Sequence, residues 1–183
     1  MTSTRGQFLV ASPHLPDPNF LRSVVLMVQH DDEGAFGLIL NRPTNQTVSE
    51  VWDIISDESC DCEQPLNLGG PVAGPLMALH TNERLSENEV VPGVYLSTDR
   101  DALDELVNTE FDPFRVFSGY AGWGPKQLDE ELEVGGWLVA SATIGMIFYE
   151  GDDLWKQVTS DIGDDIIYSA IDPRHIPYDP GMN

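Results

Sequence analysis

Proline and glycine, 13 and 16 of 183 residues, interrupt this chain so often that its apolar segments stay short and its elements must alternate quickly. Residues 7–11 and 24–29 are rich in Val, Leu and Phe and are bounded by Pro, Asp and Ser, the pattern of strands. Pro13, Pro16 and Pro18 lie between them. Each ring removes an amide donor and restricts its predecessor, so this connection is expected to be extended and turning rather than helical. Asp31-Asp32-Glu33-Gly34 separates residues 24–30 from 35–41 and puts Gly where a hairpin needs a positive φ. A β-hairpin is predicted there.

Thr47 stands three residues before Glu50, a capping-box spacing, and Val48, Val51, Trp52 and Ile55 then share one helical face. Residues 56–65, acidic and carrying Cys60 and Cys62, read as an exposed excursion with a movable tip. Leu66-Asn67-Leu68 leads into a Gly69-Gly70-Pro71-Val72 turn, and residues 76–80 and 94–96 read as strands. Thr98 or Asp99 can cap a helix with Ala102, Leu103, Leu106 and Val107 at helical spacing. Residues 114–120 form a strand reaching Ala121-Gly122-Trp123-Gly124, and Pro125 suits the first position of a helix through Gln127, Leu128 and Leu132, closed by Gly135-Gly136. A strand over 137–143, a helix over 152–162 ending at Gly163, and an irregular tail beyond Asp172 complete the pattern. With neither repeats, a low-complexity linker nor long crossovers, residues 1–183 are expected to form one α+β domain, a mixed sheet with short flanking helices.

The charge balance excludes whole classes of partner. Asp and Glu total 31 against 9 Lys and Arg, giving a net charge of -22 and a pI near 4.1. Such a field repels phosphate backbones and anionic lipid, so neither direct nucleic-acid binding nor membrane association is expected. Lys126 and Lys156 are the sole lysines, a bias that fits either a saline or solubility-driven setting, the favoured reading, or a cationic partner. Cys60 and Cys62, one residue apart, cannot build the disulfide framework of a small secreted domain, which points to a reducing compartment. Residues 1–7 carry no apolar stretch of signal-peptide length, and no run of eighteen apolar residues occurs. The expected location is the cytoplasm.

Ser12, His14, Asp17, Arg22, Ser23 and His30 fall within nineteen residues, and a Ser/His/Asp set is the raw material of a nucleophilic triad. No Gly-x-Ser-x-Gly elbow surrounds either serine, and Ser12 before Pro13 reads more simply as a turn-forming hydroxyl. Asp17 and Arg22 suit loop fixation by backbone hydrogen bonds and an ion pair. Antiparallel pairing of the hairpin brings Asn41 and Arg42 beside Ser23, either as a polar ligand cluster or as hydrogen bonds that close the strand ends. Histidines 14, 30, 80 and 175 lack zinc spacings and the acidic clusters lack the EF-hand pattern, so no metal and no cofactor is expected. Gly122-Trp123-Gly124-Pro125-Lys126 can present amides and a lysine to an anion, with Lys126 as the candidate, or form a tight turn whose Trp123 packs on the sheet.

These motifs together resemble the AlgH/YqgE family of bacterial proteins. The resemblance rests on Gly6-Gln7-Phe8-Leu9-Val10-Ala11-Ser12-Pro13, Asp17-Pro18-Asn19-Phe20, Arg22-Ser23-Val24-Val25, His30, Gly34-Ala35-Phe36-Gly37-Leu38-Ile39-Leu40-Asn41-Arg42-Pro43, Gly69-Gly70-Pro71-Val72 and Gly119-Tyr120-Ala121-Gly122-Trp123-Gly124-Pro125 followed by Gln127-Leu128. It implies an α+β domain on a strongly bent, partly folded-over sheet. It also implies a genetic association with transcriptional regulation, including alginate production, and supplies no established reaction. Lys126 departs from the family pattern, which usually has Gly before Gln-Leu.

Two function classes follow. One is a cytoplasmic binding or regulatory module for a protein or small-molecule partner, acting indirectly on gene expression, with Ser23, Asn41, Arg42, Tyr120, Trp123 and Gln127 as ligand-binding candidates converging on one pocket. The other is a hydrolase using Ser12, Ser23, His14 and His30. With a charge of -22 and no Lys- or Arg-rich helix, the protein is expected to show no salt-sensitive DNA binding at micromolar concentration in a mobility-shift assay.

Overall fold

The N-terminal strands are apolar on both faces, and this decides where the helices lie. The computed structural model describes residues 2–56, 59–109, 113–151 and 153–170. Strand β1 (Gln7–Ala11) runs antiparallel between β10 (Trp137–Ser141) and β2 (Val24–Asp31), and β2 forms a hairpin with β3 (Gly34–Ile39). Phe8, Val10, Val24, Leu26 and Leu38 face one core, which Ile147 of α4 (Ile144–Ile147) and Leu154 and Val158 of α5 (Leu154–Ala170) close. The alternate residues Leu9, Ala11, Val25, Met27 and Ile39 face a second core, closed by Trp123, Trp137 and Leu128 of α3 (Gln127–Glu133). Covering both faces is what makes these strands continuous apolar runs instead of alternating ones.

Strand β9 (Phe114–Trp123) joins the two halves of the sheet. Its end pairs with β3 from Ala35↔Trp123 to Gly37↔Ala121, while its beginning pairs with β6 (Val72–His80) at His80↔Phe114. Strands β8 (Val94–Ser97) and β7 (Asn88–Val91) extend the sheet beyond β6. Strand β5 (Pro65–Leu68) lies parallel to β9 and antiparallel to β4 (Pro43–Thr47). A third core lies beneath α1 (Val48–Ile55) and α2 (Arg100–Asn108), where Trp52, Leu103 and Leu106 meet Ala78 and Val116. The result is the expected α+β domain with a mixed, strongly bent sheet of ten strands in the order β10-β1-β2-β3-β9-β6-β8-β7, from which β5 and β4 branch at β9.

Glycine makes the branch possible. The Gly69 amide donates to Ser118 O at 2.9 Å and its carbonyl accepts from the Ile39 amide at 2.8 Å, so the segment wedges between β3 and β9. A Cβ on Gly69 would lie 2.3 Å from Gly119 O, and Gly119, at φ +71, would put one 2.8 Å from Val72 O. Only backbone fits in this crossing, and only Gly adopts the left-handed turn there without strain.

Several expectations are met in detail. Thr47 and Glu50 form the reciprocal capping box, Asp99 caps α2 through the amides of Asp101 and Ala102, and Gly135 at φ +75 ends α3. Others are corrected. The proline-rich connection contains a 3-10 turn at Pro18–Phe20, because Pro18 supplies the helical φ and Asp17 accepts from the Asn19 amide. Cys60 is buried among the side chains of the third core, and the Ser49 amide binds Cys62 O, so that part of 56–65 is anchored; residues 57–58 lie outside the described residues. Helix α3 starts at Gln127 with Lys126 as its left-handed cap, so Pro125 precedes the helix. Helix α5 begins at Leu154 and runs through Gly163, and its apolar contacts outweigh the propensity cost of one glycine. The tail beyond Asp172 lies outside the described residues.

Gly119→Ala is expected to lower unfolding free energy by about 2–4 kcal/mol, the sum of left-handed strain and overpacking. Urea titration measures this, and in it Gly145→Ala, in α4 with nothing within 4 Å of a new Cβ, should be neutral or stabilising.

Candidate functional site

The predicted polar cluster at the open end of the hairpin is assembled, and its groups bind each other. Asn41 Oδ1 accepts from the Val24 amide at 2.9 Å and its Nδ2 donates to Arg22 O at 2.8 Å. Arg42 donates to Asn41 O and to Leu21 O, and burial lowers the proton affinity of its guanidinium. Ser23 is fully buried with its hydroxyl unpartnered, out of reach of any ligand in solution. This geometry closes strand ends. Arg22, at φ 54, turns outward to pair with Asp153 at 2.8 Å and to lie over the Trp155 ring, fixing the loop to α5 as an ion pair should.

The second cluster is organised by a residue absent from the sequence reading. Glu131 Oε2 accepts from the indole N–H of Trp123 at 3.0 Å and of Trp137 at 2.8 Å, while its Oε1 accepts from Gln127 at 3.0 Å. The signal was its place four residues after Gln127, one turn along α3. Gln127 Oε1 also accepts from the Gly124 amide and Gly124 O from the Gln127 amide, so the turn closes on itself. With those donors engaged and Asp129 and Glu130 in the first turn, nothing here favours an anion beside the exposed Lys126. Lys126 has φ 63, a conformation that costs a side-chain-bearing residue about 1 kcal/mol.

The two clusters do not converge. Trp123 pairs with Ala35 at one end of β3 and Asn41 follows its other end, roughly 20 Å along an extended strand. Asn41 lines one cavity, whereas Tyr120 and Trp123 line another. The Ser/His set is likewise not assembled: Ser12 Oγ accepts from the His14 amide, His14 is exposed, and His30 Nδ1 accepts from the Thr4 amide at 3.2 Å with its Nε2 facing Asp129 at 3.8 Å. A Ser/His pair does occur elsewhere, His80 Nε2 to Ser97 Oγ at 2.9 Å, but Ser97 donates to Leu85 O and therefore receives the ring N–H. That is the reverse of nucleophile activation, and both side chains are buried in a setting that keeps His80 neutral. Burial also raises the Cys60 and Cys62 thiols, so neither is primed for attack.

What Tyr120 and Trp123 do line is a shallow apolar groove of about 540 Å³ across β3, β9 and the exposed start of β6. Phe36 meets Tyr120 edge-on at 5.9 Å, and Val72, Pro75 and Met77 form the opposite wall. Gly74 and Gly122 let the Tyr120 ring lie flat, since a Cβ on either would come within 3.1 Å of it. Among the described residues no cluster of three His, Cys, Asp or Glu side chains is placed to hold a metal, and no helix is long and apolar enough to cross a membrane.

A family model described as AlgH-like, DUF179, matches residues 8–167. A UPF0301 protein of Chlorobaculum tepidum is 36% identical over 185 residues, covering 97% of this chain and 95% of its own length, and one of Myxococcus xanthus is 36% identical over 96% of each. The solution structure of AlgH from Pseudomonas aeruginosa superimposes with a TM-score of 0.72 at 25% identity, covering 100% of this chain and 99% of that one. A crystal structure from Corynebacterium diphtheriae shares the fold at a TM-score of 0.70 and 24% identity over 88% of each chain. The chain belongs to the AlgH-like UPF0301 family.

Glu131→Ala should lower stability by about 2–3 kcal/mol, because two indole donors lose a charged acceptor. The change is measurable as a lower urea midpoint and altered tryptophan emission, with Glu131→Gln recovering part of the loss.

Proposed function

We propose that this protein is a binding module whose partner is a protein segment with an apolar anchor flanked by basic residues. One observation carries the reading: the apolar groove of Phe36, Tyr120, Val72 and Pro75 opens to solvent on a chain of charge -22. Exposed apolar clefts with aromatic walls mark interaction sites, and Glu33 at the rim, next to Asp31 and Asp32, favours cationic flanks. Any effect on gene expression then passes through this partner, since the same charge opposes contact with DNA. The two free thiols support a reducing, cytoplasmic location.

The test is an NMR titration of the labelled protein with a short peptide bearing Leu or Phe between lysines. Shifts should concentrate at Phe36, Val72 and Tyr120, and Val72→Glu, at a partly exposed position on the wall, should weaken binding at least about tenfold without unfolding. Binding that leaves these signals unmoved, or that Val72→Glu does not alter, would contradict the assignment.

A further inference from the structure

A separate cavity of about 450 Å³ lies between the start of β9, the β4–β5 pair and the segment joining α4 to α5. Arg115 stands in its wall, half-buried. Its guanidinium donates to Leu40 O at 3.1 Å and to Tyr149 O, two bonds out of five N–H groups, so donors remain for the cavity. No described carboxylate comes within 4.0 Å of it, and Glu150 acts on it from further off, favouring the charge that burial disfavours. A half-desolvated cation whose one described counter-charge stands beyond 4.0 Å is only partly compensated.

The remaining lining narrows the ligand. Among the described residues Glu150, exposed at the mouth, is the one other charged side chain, and Phe114, Phe148 and Leu154 supply an apolar wall. A plain anion would meet the repulsion of the whole chain, whereas a molecule carrying both charges has no net charge to be repelled. The volume falls within the range of small-molecule sites, where a few polar groups orient an apolar body. We propose that this cavity binds a small zwitterion of the amino-acid class with an apolar side chain, its carboxylate on Arg115, its ammonium on Glu150 and its side chain against Phe114 and Phe148.

Calorimetry on the full chain with L-phenylalanine, L-leucine, 3-phenylpropionate and phenethylamine tests this directly. At least one amino acid should bind, with its ammonium-free or carboxylate-free analogue roughly tenfold weaker or more. Arg115 also ties two carbonyls, so the decisive variants lie elsewhere. Glu150→Gln should weaken amino-acid binding at least about fivefold and leave 3-phenylpropionate unchanged, and Gln64→Trp should abolish binding by filling the cavity while the fold is retained. No saturable amino-acid binding up to about 10 mM, equal affinity for 3-phenylpropionate, or binding indifferent to Gln64→Trp would overturn the proposal and leave the groove reading untouched.

Discussion

The fold depends on one backbone crossing, where Gly69 and Gly70 lie against Gly119 and Tyr120 too closely for any Cβ. Up to this point β9 is a partner of β5 and β6, and beyond it β9 is a partner of β3. The wedge lets a single ten-residue strand serve two directions of sheet, and it sustains the ladder through Gly69 where β3 and β9 part. Both proposed sites follow from it. The groove forms where β9 runs on to β3, and the cavity forms where β5 and the start of β9 leave room beneath the α4–α5 segment.

Polar side chains hold the bend in place. Asn41 mimics a strand by bonding Val24 and Arg22, and Glu131 collects two indoles and Gln127 to lock β9 and β10 to α3. Phe20 stacks on Trp123 at 5.9 Å and meets Trp137 edge-on at 5.3 Å, so the proline-rich loop caps the same aromatic cluster. Motif residues that look chemical in sequence are here mostly structural. The Phe36, Tyr120 and Val72 groove and the Arg115 cavity are among the surfaces that the described residues leave open.

How much of this was legible varies with the range of the interaction that decides it. The hairpin at Asp31 to Gly34, the capping box at Thr47 and Glu50 and the stop at Gly135 are set within a few residues, and local chemistry was enough. Register alone also showed that Asn41 pairs beside Ser23 at the end of the hairpin away from its turn. The burial of Cys60, the continuation of α5 through Gly163 and the pairing of β4 with β5 depend on packing between distant segments, which no local pattern encodes. Arg115 was invisible for the same reason: it sits inside an ordinary strand pattern, and only the fold sets it in a cavity wall between Leu40 and Tyr149. The expected convergence of the strand ends on the Tyr120 to Gln127 turn failed because β3 separates them by its own length.

Native-state hydrogen exchange at the amides of Gly69 and Ile39, which bond Ser118 O and Gly69 O, tests the central claim most directly. If the glycine wedge holds the bent sheet together, both amides exchange only through global unfolding, with the same denaturant dependence as the core amides of β2. If instead they open at low free energy while β2 remains protected, the crossing is a peripheral contact and the sheet does not depend on it.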